Sequence, residues 1–141
     1  MNEFQERLQE LLKEYKLSRL ELSKKLNISS TTINDYFNKG YYPELTIAIK
    51  MAEYFNCSLN YLFGLSDDKS NTNKNKNEFF VNFDKLIKEN KLKIARVLRE
   101  MQMGEYNYYR WKSGQIPKTI NLISIAKYFD VSVDYLVGRS F

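Results

Sequence analysis

The chain repeats itself, and that repeat restricts its fold more than any other feature. Residues 52–64 read Ala-Glu-Tyr-Phe-Asn-Cys-Ser-Leu-Asn-Tyr-Leu-Phe-Gly, and residues 126–138 read Ala-Lys-Tyr-Phe-Asp-Val-Ser-Val-Asp-Tyr-Leu-Val-Gly. Seven of the thirteen positions are identical at a spacing of 74. Upstream, Leu11-Leu12 matches Leu86-Ile87, Leu26-Asn27-Ile28 matches Met101-Gln102-Met103, and Tyr36 matches Trp111, all at a spacing of 75. The second copy is therefore one residue shorter between Trp111 and Pro117. A segment that recurs whole folds twice, so two domains are expected, over 1–66 and 78–141. Residues 67–77 hold no apolar side chain and read as a flexible polar linker. Its root-mean-square reach is roughly 18 Å and its limit about 36 Å.

Each copy reads as five short helices. In the first, Phe4, Leu8, Leu11, Leu12 and Tyr15 recur at helical spacing behind Asn2 as N-cap. Ser18 opens a second helix, with Glu21 completing a capping box and Leu22 and Leu26 on the inner face. Ser29 caps a third helix that turns Ile33 and Tyr36 inward. Gly40 and Pro43 break the chain. A fourth helix holds Leu45, Ala48, Ile49, Ala52 and Phe55, and Ser58 caps a one-turn fifth. Tyr54-Phe55 and Tyr128-Phe129 read as packing residues, and Cys57, which matches Val131, as a small buried apolar group. No stretch alternates as a strand does, so the fold class is all-α.

Composition removes most chemistry. There is no histidine and one cysteine, so His-based triads, zinc sites and redox cysteine pairs are excluded. No enzyme activity, metal or cofactor is expected. The longest apolar runs fall far short of the roughly 20 residues of a membrane span, and the acidic, amphipathic start does not read as a signal peptide. A soluble, cytoplasmic protein is expected. The net charge is +5, unevenly divided: residues 1–66 are neutral and residues 78–141 carry +4. A mild basic excess is compatible with nucleic acid.

The segment 18–36, two helices of about eight residues around a tight turn, is the layout of a helix-turn-helix, whose second helix can enter a major groove. The pattern Leu17-Ser18, Glu21-Leu22-Ser23, Leu26-Asn27-Ile28-Ser29, Thr32-Ile33, Tyr36, Gly40, Pro43, then Ala52, Ser58, Leu62 and Gly64, resembles the Cro/CI-repressor, or XRE-like, family. The resemblance covers residues 4–66; residues 80–140 resemble it clearly from Pro117 onward and more loosely before. It implies two tandem five-helix, lambda-repressor-like DNA-binding domains, operator DNA as partner, a homodimer as the usual working unit, and repression of transcription at the nucleoid.

Carried over by position, the resemblance assigns Arg19 to phosphate, Ser29, Ser30, Thr31 and Asn34 to the cap and reading face of the third helix, Thr32 to base or backbone, and Asn38 and Lys39 to phosphate. Asp35 departs from the basic or neutral residue common there. In the second copy a helix over 104–111 is expected to turn Tyr108 and Trp111 inward and Glu105, Tyr106, Asn107, Tyr109 and Arg110 outward. Lys93, Lys112 and Lys118 supply charge around it. Asn pairs with adenine and Arg with guanine, whereas two exposed tyrosines suit either thymine methyl groups and sugars or a protein surface. Two readings follow: both copies read an asymmetric operator, or the first binds DNA and the second is a dimerisation or partner-binding module of antitoxin or anti-repressor type.

Overall fold

Helices this short are marginal alone in water, so their existence depends on caps and on burial. Both are found in a computed structural model, which describes residues 1–141. It contains ten helices and no strand: α1 Glu3–Glu14, α2 Arg19–Leu26, α3 Ser30–Asn38, α4 Leu45–Tyr54, α5 Leu59–Leu62, α6 Phe79–Glu89, α7 Ile94–Glu100, α8 Tyr106–Lys112, α9 Thr119–Phe129 and α10 Val133–Val137. The all-α class is as expected. No helix is long and apolar enough to cross a membrane. The chain divides into two units, Met1–Asn71 and Thr72–Phe141.

In the first unit the capping residues stand where the sequence places them. Asn2 Oδ1 accepts from the Gln5 N–H at 2.8 Å while Gln5 Oε1 accepts from the Asn2 N–H at 2.6 Å. Ser18 and Glu21 form the same reciprocal pair on α2. Ser29 Oγ accepts from the Thr31 N–H at 3.1 Å, and Ser58 Oγ from the Tyr61 N–H at 2.9 Å. Phe4, Leu8 and Leu11 of α1, Leu22 of α2, Ile33 of α3 and Leu59 and Leu62 of α5 are buried together. α2 packs on α3 and α4, and α5 on α1 and α4. Cys57 is buried, and Tyr54 meets Phe55 edge-on at 5.1 Å.

The second unit repeats the order of five helices. Trp111 stands edge-on to Phe79 at 5.6 Å, at the positions where Tyr36 meets Phe4 edge-on, also at 5.6 Å. Left-handed backbone recurs in register at Lys16 and Lys91, Asn27 and Gln102, Asn56 and Asp130, and Gly64 and Gly138. At Gly138 the need for glycine is steric as well as conformational: with φ at +72°, a Cβ would lie 2.3 Å from the Asn77 carbonyl oxygen.

Three features depart from expectation. The third helix of the second copy begins at Tyr106, not Gly104, because Gly104 offers no side-chain oxygen where Ser29 does, and Glu105 at the cap makes no capping bond. Tyr108, expected inward, is half-buried and packs on Phe80 with ring centroids 5.5 Å apart. The stretch 67–77, expected as a free tether, is held by polar contacts, each half on its own unit. Lys69 pairs with Glu14 at 2.7 Å, and its carbonyl accepts from the Ser58 N–H at 2.7 Å. Asn73 Nδ2 donates to the carbonyls of Asp134 and Arg139, and Asn75 Nδ2 to that of Tyr135. Amides can satisfy helix-end carbonyls without any apolar burial, which a search for buried hydrophobes does not detect.

Two buried polar groups of the first unit have opposite consequences. Gln5 Nε2 donates to the Tyr36 carbonyl at 2.6 Å and the Phe37 carbonyl at 3.2 Å, fixing the end of α3 to α1. The Tyr36 hydroxyl is buried with no hydrogen-bond partner; burial, and then the charge of Glu44, pushes its pKa up to about 12. Gln5→Ala is expected to cost about 1–3 kcal/mol, whereas Tyr36→Phe, which removes only the orphan hydroxyl, is expected to leave stability unchanged or raise it. Urea denaturation of the two variants checks both signs.

Candidate nucleic-acid interface

The rotation of α3 follows from its two buried anchors. With Ile33 and Tyr36 buried, Ser29, Ser30 and Thr31 are exposed, Thr32 and Asn34 are half-buried at the edge of the face, and Asn38 and Lys39 are exposed at its far end. Ser30, Thr31 and Asn34 on this side are short, polar and uncharged, with donors and acceptors on each side chain, while half-buried Asp35 adds one carboxylate to the same face. Ser29, besides being exposed, spends its oxygen on the Thr31 N–H.

Arg19, the first residue of α2, is brought to this row. Its guanidinium carbon lies 4.0 Å from the centroid of the Phe37 ring, and Nη1 donates to Asn34 Oδ1 at a long 3.5 Å. Stacking on an aromatic face limits the freedom of a long, rotamer-rich side chain, so a cation is held beside the middle of α3. At the other end, Lys39 Nζ is 3.8 Å from Asp35 Oδ1 and 5.7 Å from the Tyr41 ring centroid. Asp35 therefore faces a lysine. Phe37 as the shelf for Arg19, and exposed Tyr41 beside Lys39, were not among the expected residues. The available signal was an aromatic residue of α3 lying off its buried face.

The equivalent face of the second unit is built differently. α2 packs closely on α3, but α7 and α8 make little contact. Lys93 caps α7 and Lys118 caps α9, neither with a side-chain bond to the helix. Asn107 is half-buried, and its Nδ2 donates to the Gly104 carbonyl at 3.0 Å, closing the first turn of its own helix. Arg110 Nε donates to Gln115 Oε1 at 2.9 Å. Glu105 and Lys112 are exposed, with Lys112 Nζ 6.0 Å from the Tyr108 ring. Tyr106 and Tyr109 stand 64% and 68% exposed. At the repeat spacing they occupy the places of Thr31 and Asn34.

Residues 8–62 match the family model described as Helix-turn-helix. No curated protein and no solved structure matches the chain. The match falls within the first unit and covers its helix pair α2–α3 and the packing that supports it. That unit is a DNA-binding domain of the kind found in transcription regulators.

The junction that aims α3 contains one titratable cap. The Ser18 backbone N–H, then the Ser18 hydroxyl, and then Lys25 and Lys24 hold the Glu21 carboxyl below its ordinary value. A depressed folded pKa means that the stabilisation is complete above the unfolded value, about 4.3, and is lost as pH falls through the folded one. The stability difference between the wild type and Glu21→Gln is therefore expected to be largest near neutrality and to shrink on acidification below about pH 4. Thermal melts of both proteins across that range measure it.

Proposed function

We propose that the first domain, a helix-turn-helix domain of the XRE-like type, reads a specific operator with α3, and that the chain represses transcription by occupying it. The observation that carries this reading is the anchored, uncharged row Ser30, Thr31 and Asn34 with Arg19 held beside it by Phe37. Hydroxyl and amide groups of this length suit the donors and acceptors of base edges in the major groove. In this reading Arg19 and Lys39, on either side of the row, contact phosphate, which fixes register without reading sequence. A protein seated on a promoter excludes other proteins from the same duplex, so repression needs only binding. The nucleoid is then its place of work.

A domain with no net charge gains little from general attraction to DNA. Its affinity rests on a few placed cations and on complementarity to bases. The second domain supports a division of labour more than a second reading head. The amide expected to read adenine is committed to Gly104, and the reading positions carry exposed tyrosines.

A reporter gene driven by the promoter sequence that the protein protects in a footprint tests the proposal. Expression is expected to fall when the wild-type chain is supplied and to recover with Thr31→Ala or Asn34→Ala, each costing about 1–3 kcal/mol of specific affinity. Lys39→Ala is expected to weaken all duplexes alike and to reduce the slope of log affinity against log salt by about 0.9. Undiminished repression by the paired Thr31→Ala, Asn34→Ala variant would contradict the assignment of α3.

A further inference from the structure

A cleft of about 230 Å³ opens in the second domain between the α7–α8 turn, the outer side of α8 and the loop leading to α9. Its walls carry Arg110, Lys118 and four side-chain amides, with Tyr106 and Ile116 among them and no acidic side chain. Outside its lining, Tyr109 lies one turn beyond Tyr106 on α8, and Ile120 is the second residue of α9. Ile116 and Ile120 are 52% and 55% exposed. Four large apolar residues are thus exposed within fifteen positions of the chain, where three of the equivalent residues in the first domain are Thr31, Asn34 and Thr46.

Apolar surface of this kind gains roughly 25 cal/mol for each Å² removed from water, and concentrated patches mark sites of association. The edge of a duplex presents phosphate and sugar, which repay the burial of two isoleucines poorly. The charge then selects among protein partners. Arg110 is held at the wall by its Nε bond to Gln115. Lys118 forms no ion pair. Two copies of this face brought together would set these cations against their own counterparts. The cleft is also below the roughly 300–1,000 Å³ usual for small-molecule pockets, and suits a single anchoring side chain.

We propose that this cleft docks an acidic segment of a partner protein. One aromatic or large aliphatic side chain of that segment sits between Tyr106 and Ile116, and its flanking carboxylates are answered by Arg110 and Lys118. Such an anchor surrounded by complementary charge is the arrangement in which a few residues supply most of the binding energy. The second domain is then the site at which another protein reaches the DNA-bound chain.

Panning a random displayed peptide library on the full-length chain supplies a probe. The enriched peptides are expected to be net acidic around one recurring Trp, Phe or Leu. A labelled synthetic copy of the best peptide should lose about tenfold or more in affinity to Ile116→Glu and to Arg110→Glu, as expected for residues at an anchor site. Val81→Glu, an equally exposed change on α6 away from the cleft, should alter it by less than about twofold. The two cleft variants are independent, so if thermal unfolding shows one to be misfolded the other carries the test. Enriched peptides without acidic bias, or binding indifferent to both cleft variants, would overturn the proposal. So would a loss of affinity for the footprinted duplex in Ile116→Glu as large as that in Asn34→Ala, since the cleft would then face DNA. The paired Thr31→Ala, Asn34→Ala variant is expected to bind the peptide normally, which separates failure of this proposal from failure of the operator reading.

Discussion

The side-chain amide of Gln5 is the contact on which the outward face of α3 depends. A nine-residue helix such as α3 has no independent stability in water. Its N-terminus is closed by Ser29 and its last carbonyls by Gln5, which is itself fixed by the reciprocal cap with Asn2. One residue of α1 therefore joins the start of the first helix to the end of the third. Ile33 and Tyr36 set the rotation of α3, Gln5 sets its height, and the outward row follows from both. Arg19 then takes its place because Phe37, just past the buried turn, offers it a flat face.

The second domain meets the same constraint with different groups. Where the first has Gln5 and a hydrogen bond, the second has Phe80 against the Tyr108 ring. Where the first has Ser29 as cap, the second has Gly104, and its helix starts later and lies more loosely on α7. Polar satisfaction moves to the other end of the fold. Asn73, Asn75 and Asn82 gather the carbonyls at the close of α10. The result is a domain whose base and core resemble the first while its outer face is aromatic, aliphatic and cationic. Two units with the same order of helices allow this, because a similar interior leaves the exposed positions free to differ.

Much of the fold was legible in the residues. Ser18 with Glu21, Ser29, Ser58 and the Ile33–Tyr36 pair carry local signals that act over one or two turns, and these fixed helix starts and the face of α3. The spacing of 74 to 75 located the second domain through Trp111, Tyr128-Phe129 and Gly138. Contacts between side chains distant in sequence were not legible: Arg19 on Phe37, Gln5 on the Tyr36 carbonyl, and the attachment of residues 69–77. That last stretch looked like a tether because it has nothing to bury, yet its amides are matched to carbonyls that no periodicity reveals. The expected roles of Asn107 and Arg110 rested on residue type, and their partners Gly104 and Gln115 became visible only in three dimensions.

The proposed assignment of sequence reading to α3 of the first domain is open to direct test. Selecting bound duplexes from a random pool with the full-length chain, and repeating the selection with Asn34→Ala, addresses it directly. A single enriched motif is expected for the wild type, with preference relaxed or altered at one position of that motif for the variant. A motif that is strong in both selections and identical at every position would show that α3 does not read the bases, and would contradict it.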